Sequence, residues 1–76
     1  SKVEKFRIIL DRYKVSEDET IFITDTLGDL LEARVVNIPT IAVTYGAHNR
    51  SFFMREPHSN LVSIVDSVDE LGRMIV

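Results

Sequence analysis

Two short β-branched and apolar runs, Thr20-Ile-Phe-Ile-Thr24 and Thr40-Ile-Ala-Val-Thr44, stand on either side of a helix-patterned segment, and this arrangement most constrains the fold. Near-continuous apolar content suits strands covered on both faces, which is the burial of a parallel sheet. Between them Leu27, Leu30, Leu31 and Val35 recur at helical spacing, and Asn37 can end that helix because Asn tolerates the left-handed C′ conformation. Pro39 bars its continuation. Strand, helix and strand together predict a right-handed βαβ unit.

The flanking segments extend this pattern. Ser1 followed by Glu4 fits a capping box, and Val3, Phe6, Ile9, Leu10 and Tyr13 then predict an amphipathic helix near 2–14. Its polar face carries Glu4, Lys5, Asp11 and Arg12. Ser16-Glu-Asp-Glu19 reads as a polar turn, and Asn49 to Met54 as a short helix broken at Glu56-Pro57. Leu61-Val-Ser-Ile-Val65 predicts a third strand, and Ser67 with Glu70 a capping box ahead of Val68, Leu71 and Ile75. No internal repeat, low-complexity tract or flexible linker interrupts the chain.

Seventy-six residues suffice for one domain but not two. Chains this short bury only about 60% of their unfolded surface and are marginal without help. A hydrophobic fraction of 45% and a charged fraction of 28% are those of an ordinary globular chain. A net charge of -3 and a pI near 5.2 argue against nucleic acid as a partner, because phosphate neutralisation needs a basic face. The absence of cysteine removes disulfides, thiolate metal sites and thiol nucleophiles together. No run approaches the ~20 apolar residues of a membrane span, and the amino terminus lacks a secretory core, so no membrane partner and a cytoplasmic location are expected.

The chemistry concentrates where the first strand meets the following helix. Asp25 follows the strand directly and Asp29 stands four residues later, one helical turn on, so both carboxylates can face one volume. Carboxyl ends of buried strands are where ligands collect in α/β proteins. Hard oxygen donors suit Mg²⁺, which takes one or two carboxylates plus waters and substrate phosphate. The alternative is that the two acids cap the helix and complement its dipole, and spacing alone leaves both readings open.

Thr24-Asp-Thr-Leu-Gly-Asp29, with Ala33, Asn37-Ile-Pro-Thr-Ile-Ala-Val43 and Gly46, resembles the acidic motif and following strand of haloacid-dehalogenase-like (HAD) hydrolases, especially the phosphoglycolate-phosphatase-like members. The resemblance implies an α/β fold with a partial Rossmann-like parallel sheet. It implies Mg²⁺ as cofactor, Asp25 as the favoured direct ligand and Asp29 as a direct or water-mediated one. It also implies a catalytic role for Lys2, which stands where relatives of the phosphoserine-phosphatase type carry a phosphate-contacting lysine at the start of the preceding helix. A frayed terminal lysine is the alternative for Lys2, and Lys5 reads as a solvated-face residue. Thr24, Glu32 and Asn37 depart from the small residue, alanine and glycine usual at these positions.

The nucleophilic aspartate motif and the phosphate-binding serine or threonine motif of the family lie upstream in relatives and are absent here. Residues 1–76 are therefore expected to form the carboxyl-terminal portion of a HAD-like core. The activity implied for the complete protein is hydrolysis of a small phosphorylated metabolite through an aspartyl-phosphate. The missing strand would leave an apolar edge that pairs with the upstream segment or with a second copy. The rival readings are a non-catalytic α/β interaction domain and a receiver-like or nucleotide-binding domain.

The remaining polar and aromatic residues take plainer readings. His48 and His58 are isolated from acids and from each other, which favours a surface or loop role over metal ligation. Phe52, Phe53 and Met54 are expected to fold back on the sheet rather than form a partner-binding patch. Ser51 and Ser63 have no histidine-acid arrangement nearby. Tyr45, Gly46 and Arg50 fall in a loop at the same sheet edge as Asp25, as pocket residues or as ordinary turn chemistry.

Overall fold

The computed structural model describes residues 2–46 and 48–75. Its elements run α1 (Lys2–Tyr13), β1 (Phe22–Thr24), α2 (Leu27–Val35), β2 (Thr40–Val43), α3 (Arg50–Met54), β3 (Leu61–Val65) and α4 (Val68–Ile75), with a 3₁₀ turn at Glu17–Glu19. The three strands form one parallel sheet in the order β1-β2-β3. This is the α/β architecture expected from the strand-helix-strand pattern.

Side chains alternate across the central strand β2, and each set builds one half of the core. On one face Ala42 packs with Leu30 of α2 and Phe53 of α3, joined by Leu27, Leu61 and Ile64. On the other, Ile41 and Val43 pack with Val65 and with Leu71 of α4. All four residues of β2 are buried, as a strand with both faces covered requires. Between Thr40 and Ile41 the pairing with β3 slips by one residue, which leaves Val62 exposed at the sheet's edge.

Helix α2 stops as its sequence predicts. Asn37 takes a φ of 57°, its N–H donates to Arg34 O and the Ile38 N–H reaches back to Ala33 O, which together make a Schellman motif. Helix α1 ends the same way at Lys14, with a φ of 53° and the Val15 N–H donating to Leu10 O. α1 packs on α2, and its Phe6 meets Phe22 of β1 edge-to-face at 4.9 Å.

Several expectations need correction. β1 begins at Phe22 rather than Thr20, and although it lies at a sheet edge as the missing-strand reading expects, its Ile23 is 40% exposed instead of covered on both faces. Ile23 pairs with Ile41 and shares its face, but α4 covers that face only at the β3 side. Ile9 and Tyr13 are exposed, so the apolar stripe of α1 is narrower than its spacing suggests. The polar turn expected at Ser16 is present, as a 3₁₀ turn in which Ser16 and Glu19 make reciprocal bonds. At α4 only half of the expected box forms: Ser67 Oγ accepts the Glu70 N–H, while the Glu70 carboxylate accepts from Asp66 N–H. The box expected at Ser1 and Glu4 lies outside the described residues.

Candidate functional site

Because the strands are parallel, the segments that follow β1, β2 and β3 emerge at one edge of the sheet. Asp25 leaves β1 there, Tyr45 and Gly46 follow β2, and Asp66 follows β3. An open cleft of about 440 Å³ lies at this edge, walled by Phe22, Ile23 and Val43 and lined on its polar side by Lys2, Thr24, Asp25, Asp29, Tyr45 and Gly46. Both aspartates and Lys2 thus meet in one cavity.

The acidic turn is held by its own hydroxyls. Thr26 caps α2 by accepting the Asp29 N–H at 3.2 Å, which makes Thr26, and not Asp25, the capping residue. Thr24 accepts the Thr26 N–H at 3.2 Å and donates its own hydroxyl to Asp29 Oδ2 at 3.1 Å. The hydroxyl that departs from the usual small residue therefore orients the second acid. Asp29 lies in the first turn of α2, where a negative charge complements the helix dipole. Its other oxygen, Oδ1, stands 3.5 Å from Lys2 Nζ.

The loop after β2 closes on this turn. Gly46 lies directly against the Asp25 side chain, and a Cβ there would stand 2.5 Å from Asp25 Cβ. The His48 N–H donates to Asp25 O at 3.2 Å, and His48 Nδ1 accepts the Leu27 N–H at 3.0 Å. His48 is thus a partner of the acidic turn, which its isolation in the sequence concealed. Arg50 does not line the cleft. It donates to Asp66 Oδ2 at 2.8 Å and to Ile64 O, while Thr44 donates to Asp66 Oδ1 at 2.7 Å. The Arg50 and Thr44 hydrogen bonds hold the Asp66 carboxyl below the usual range, and Asp66 in turn raises the Arg50 guanidinium.

The other candidates fall away from the cleft. Lys5 is exposed on α1. Phe53 is fully buried as expected, Phe52 stacks on His48 at 4.4 Å, and Met54 is 64% exposed and does not fold back. His58 lies in a loop, as one of its two readings had it, but is buried rather than on the surface, and neither ring nitrogen has a hydrogen-bond partner among the described residues. Nothing in a lone histidine before Ser59 announces that burial.

Among the described residues no three His, Asp or Glu side chains converge as an all-protein metal cage. Two carboxylates in an open cleft nevertheless fit Mg²⁺, which keeps several waters and completes its shell with substrate phosphate. The donor chemistry is that of a hard cation.

A family model described as HAD-hydrolase-like matches residues 3–71, and the chain belongs to that family. No curated protein and no solved structure matches the chain. The matched span contains both aspartates, Gly46 and His48 but begins one residue after Lys2. No described helix is long and apolar enough to cross a membrane.

Proposed function

We propose that this chain supplies the Mg²⁺-binding acidic turn of a phosphatase that hydrolyses a small phosphorylated metabolite. The observation that carries the proposal is the convergence of Asp25, Asp29 and Lys2 on one cleft at the carboxyl edge of the sheet, in a chain of the HAD-hydrolase-like family. Asp25 is the favoured direct ligand. Asp29, turned by Thr24, binds directly or through water, and Lys2 contacts the phosphoryl oxygens. The cation, when bound, supplies positive charge that offsets the charge developing on the transferring phosphoryl group.

Each protein group has a distinct task in this reading. Asp25 would hold the cation, and the Lys2 ammonium, paired with Asp29 in the free protein, would exchange that carboxylate for a phosphoryl oxygen. Phe22, Ile23 and Val43 form the apolar wall of the cleft. The attacking carboxylate belongs to an Asp-x-Asp pair that this sequence does not contain. We place the strand bearing it along the open side of β1, where the exposed Ile21 and Ile23 offer an apolar seat.

Hydrolysis of p-nitrophenyl phosphate tests the proposal. The 76 residues alone should give no turnover above a metal-only control, whereas the same chain joined to a segment supplying the Asp-x-Asp pair should hydrolyse the ester with Mg²⁺ and lose activity in Asp25→Asn. Mg²⁺-dependent turnover by the 76 residues alone, abolished by Asp29→Ala, would overturn the proposed division of the site.

A further inference from the structure

We infer that His48 is a positioning residue for the acidic turn, fixing the orientation in which Asp25 presents its carboxylate to a cation. The inference rests on the reading of Asp25 as the metal-facing acid. His48 makes two hydrogen bonds to one short segment: its backbone N–H donates to Asp25 O at 3.2 Å, and its ring Nδ1 accepts the Leu27 N–H at 3.0 Å. These bonds fall on either side of Thr26, the cap of α2. The turn is therefore held at both ends from a residue 21 positions away from Leu27.

A backbone N–H only donates, so Nδ1 is the acceptor in this contact. The ring cannot rotate freely, because Phe52 stacks on it at 4.4 Å with an interplanar angle of 13°, and the Arg55 guanidinium covers that phenyl ring at 4.3 Å. Leu27 is the first residue of α2, and its N–H has no acceptor within the helix. Removing the imidazole strips that N–H of its partner and leaves only the backbone N–H of residue 48 bonding the turn from this loop.

The same loop restrains Asp25 at a further point, through the contact of Gly46 with its side chain. The loop is in turn tied to the end of β3 by Thr44 and Arg50, both bonded to Asp66. Groups that orient a metal ligand without touching the metal commonly change affinity about 10–100-fold when removed.

Asparagine separates positioning from bulk stability. Its Oδ1 lies the same number of bonds from Cα as His Nδ1 and accepts a hydrogen bond there, whereas glutamine carries its oxygen one bond further out. Two measurements on wild type, His48→Asn, His48→Gln and His48→Ala decide the matter: calorimetric titration with Mg²⁺, and hydrogen exchange of the Leu27 amide by NMR. We expect about tenfold weaker Mg²⁺ binding in His48→Ala and His48→Gln, with His48→Asn close to wild type. Leu27 amide protection should follow the same order. Equal Leu27 protection in all four proteins, or His48→Asn behaving as His48→Ala, would overturn the inference even if one variant folded poorly. A wild-type chain that binds no Mg²⁺ would overturn the metal reading instead, leaving the Leu27 amide to decide whether His48 holds the turn.

Discussion

Gly46 lies so close to Asp25 that a Cβ built on it would stand 2.5 Å from Asp25 Cβ and 2.7 Å from Cγ. No glycine in the described residues has a positive φ, so the requirement here is close approach and not backbone conformation. Gly46→Ala must displace the acid or the loop, and should cost about 1–3 kcal/mol, as overpacked sites do. Gly28→Ala offers the contrast, because nothing lies within 4 Å of its built Cβ and it sits inside α2. That change should be neutral or stabilising by up to about 1 kcal/mol. Urea unfolding of both variants checks the pair, and equal responses would contradict the contact.

Asn60 is the polar keystone beneath the sheet's other edge. Its Nδ2 donates to Leu30 O and Ile38 O at 3.2 Å and to Thr40 Oγ1 at 3.1 Å, all in a buried setting. Asn60→Ala leaves acceptors without a donor and should lose at least about 2 kcal/mol. Asn60→Asp should be worse at neutral pH, since a carboxylate cannot donate and carries a buried charge. Denaturant midpoints of the two variants test that order.

Acid should weaken the fold through two exposed carboxylates. Arg50 and then Thr44 hold Asp66 below its ordinary value, and the Ser16 backbone N–H followed by its hydroxyl does the same for Glu19. Each contribution is whole above the unfolded carboxylate range of about 4 and is lost as pH falls through the lowered folded value. Asp66→Asn and Glu19→Gln should each reduce stability at pH 6 and lose less than wild type between pH 6 and about pH 3. Urea midpoints at the two pH values give the comparison; parallel losses in wild type and variants would remove these groups from the acid response.

The open side of β1 predicts association. Ile21 and Ile23 are 52% and 40% exposed at a strand that, among the described residues, pairs with β2 alone. Sedimentation of the 76-residue chain should show concentration-dependent self-association, relieved by Ile23→Lys, because a charge on an edge strand discourages further pairing. A sharply melting, concentration-independent wild-type monomer would refute the missing-strand argument.

What was legible in the sequence was local and periodic. The βαβ unit followed from two β-branched runs around a 3.6-residue pattern, and the end of α2 followed from Asn37 because its side chain tolerates a φ of 57°. Lys14 adopts almost the same conformation at 53°, yet lysine gives no such signal. The two aspartates were readable as a pair, since four-residue spacing on a helix start brings carboxylates together. His48 was not, because its partners are the backbone of Asp25 and Leu27, and main-chain groups leave no mark on side-chain identity. The edge position of β1 followed from the resemblance, whereas the exposure of Ile23 did not, because β-branched residues announce a strand but not how far a helix covers its face.

The most direct test of the account is calorimetric titration of Mg²⁺ into the intact protein and its Asp25→Asn variant. The substitution keeps the side chain's shape beside Gly46 while removing one charged oxygen ligand. Wild type should bind measurably, with affinity weakened at least several-fold in the variant, as loss of a carboxylate from a Mg²⁺ shell demands. Equal affinity in the two proteins would take Asp25 out of the metal site and contradict the central claim.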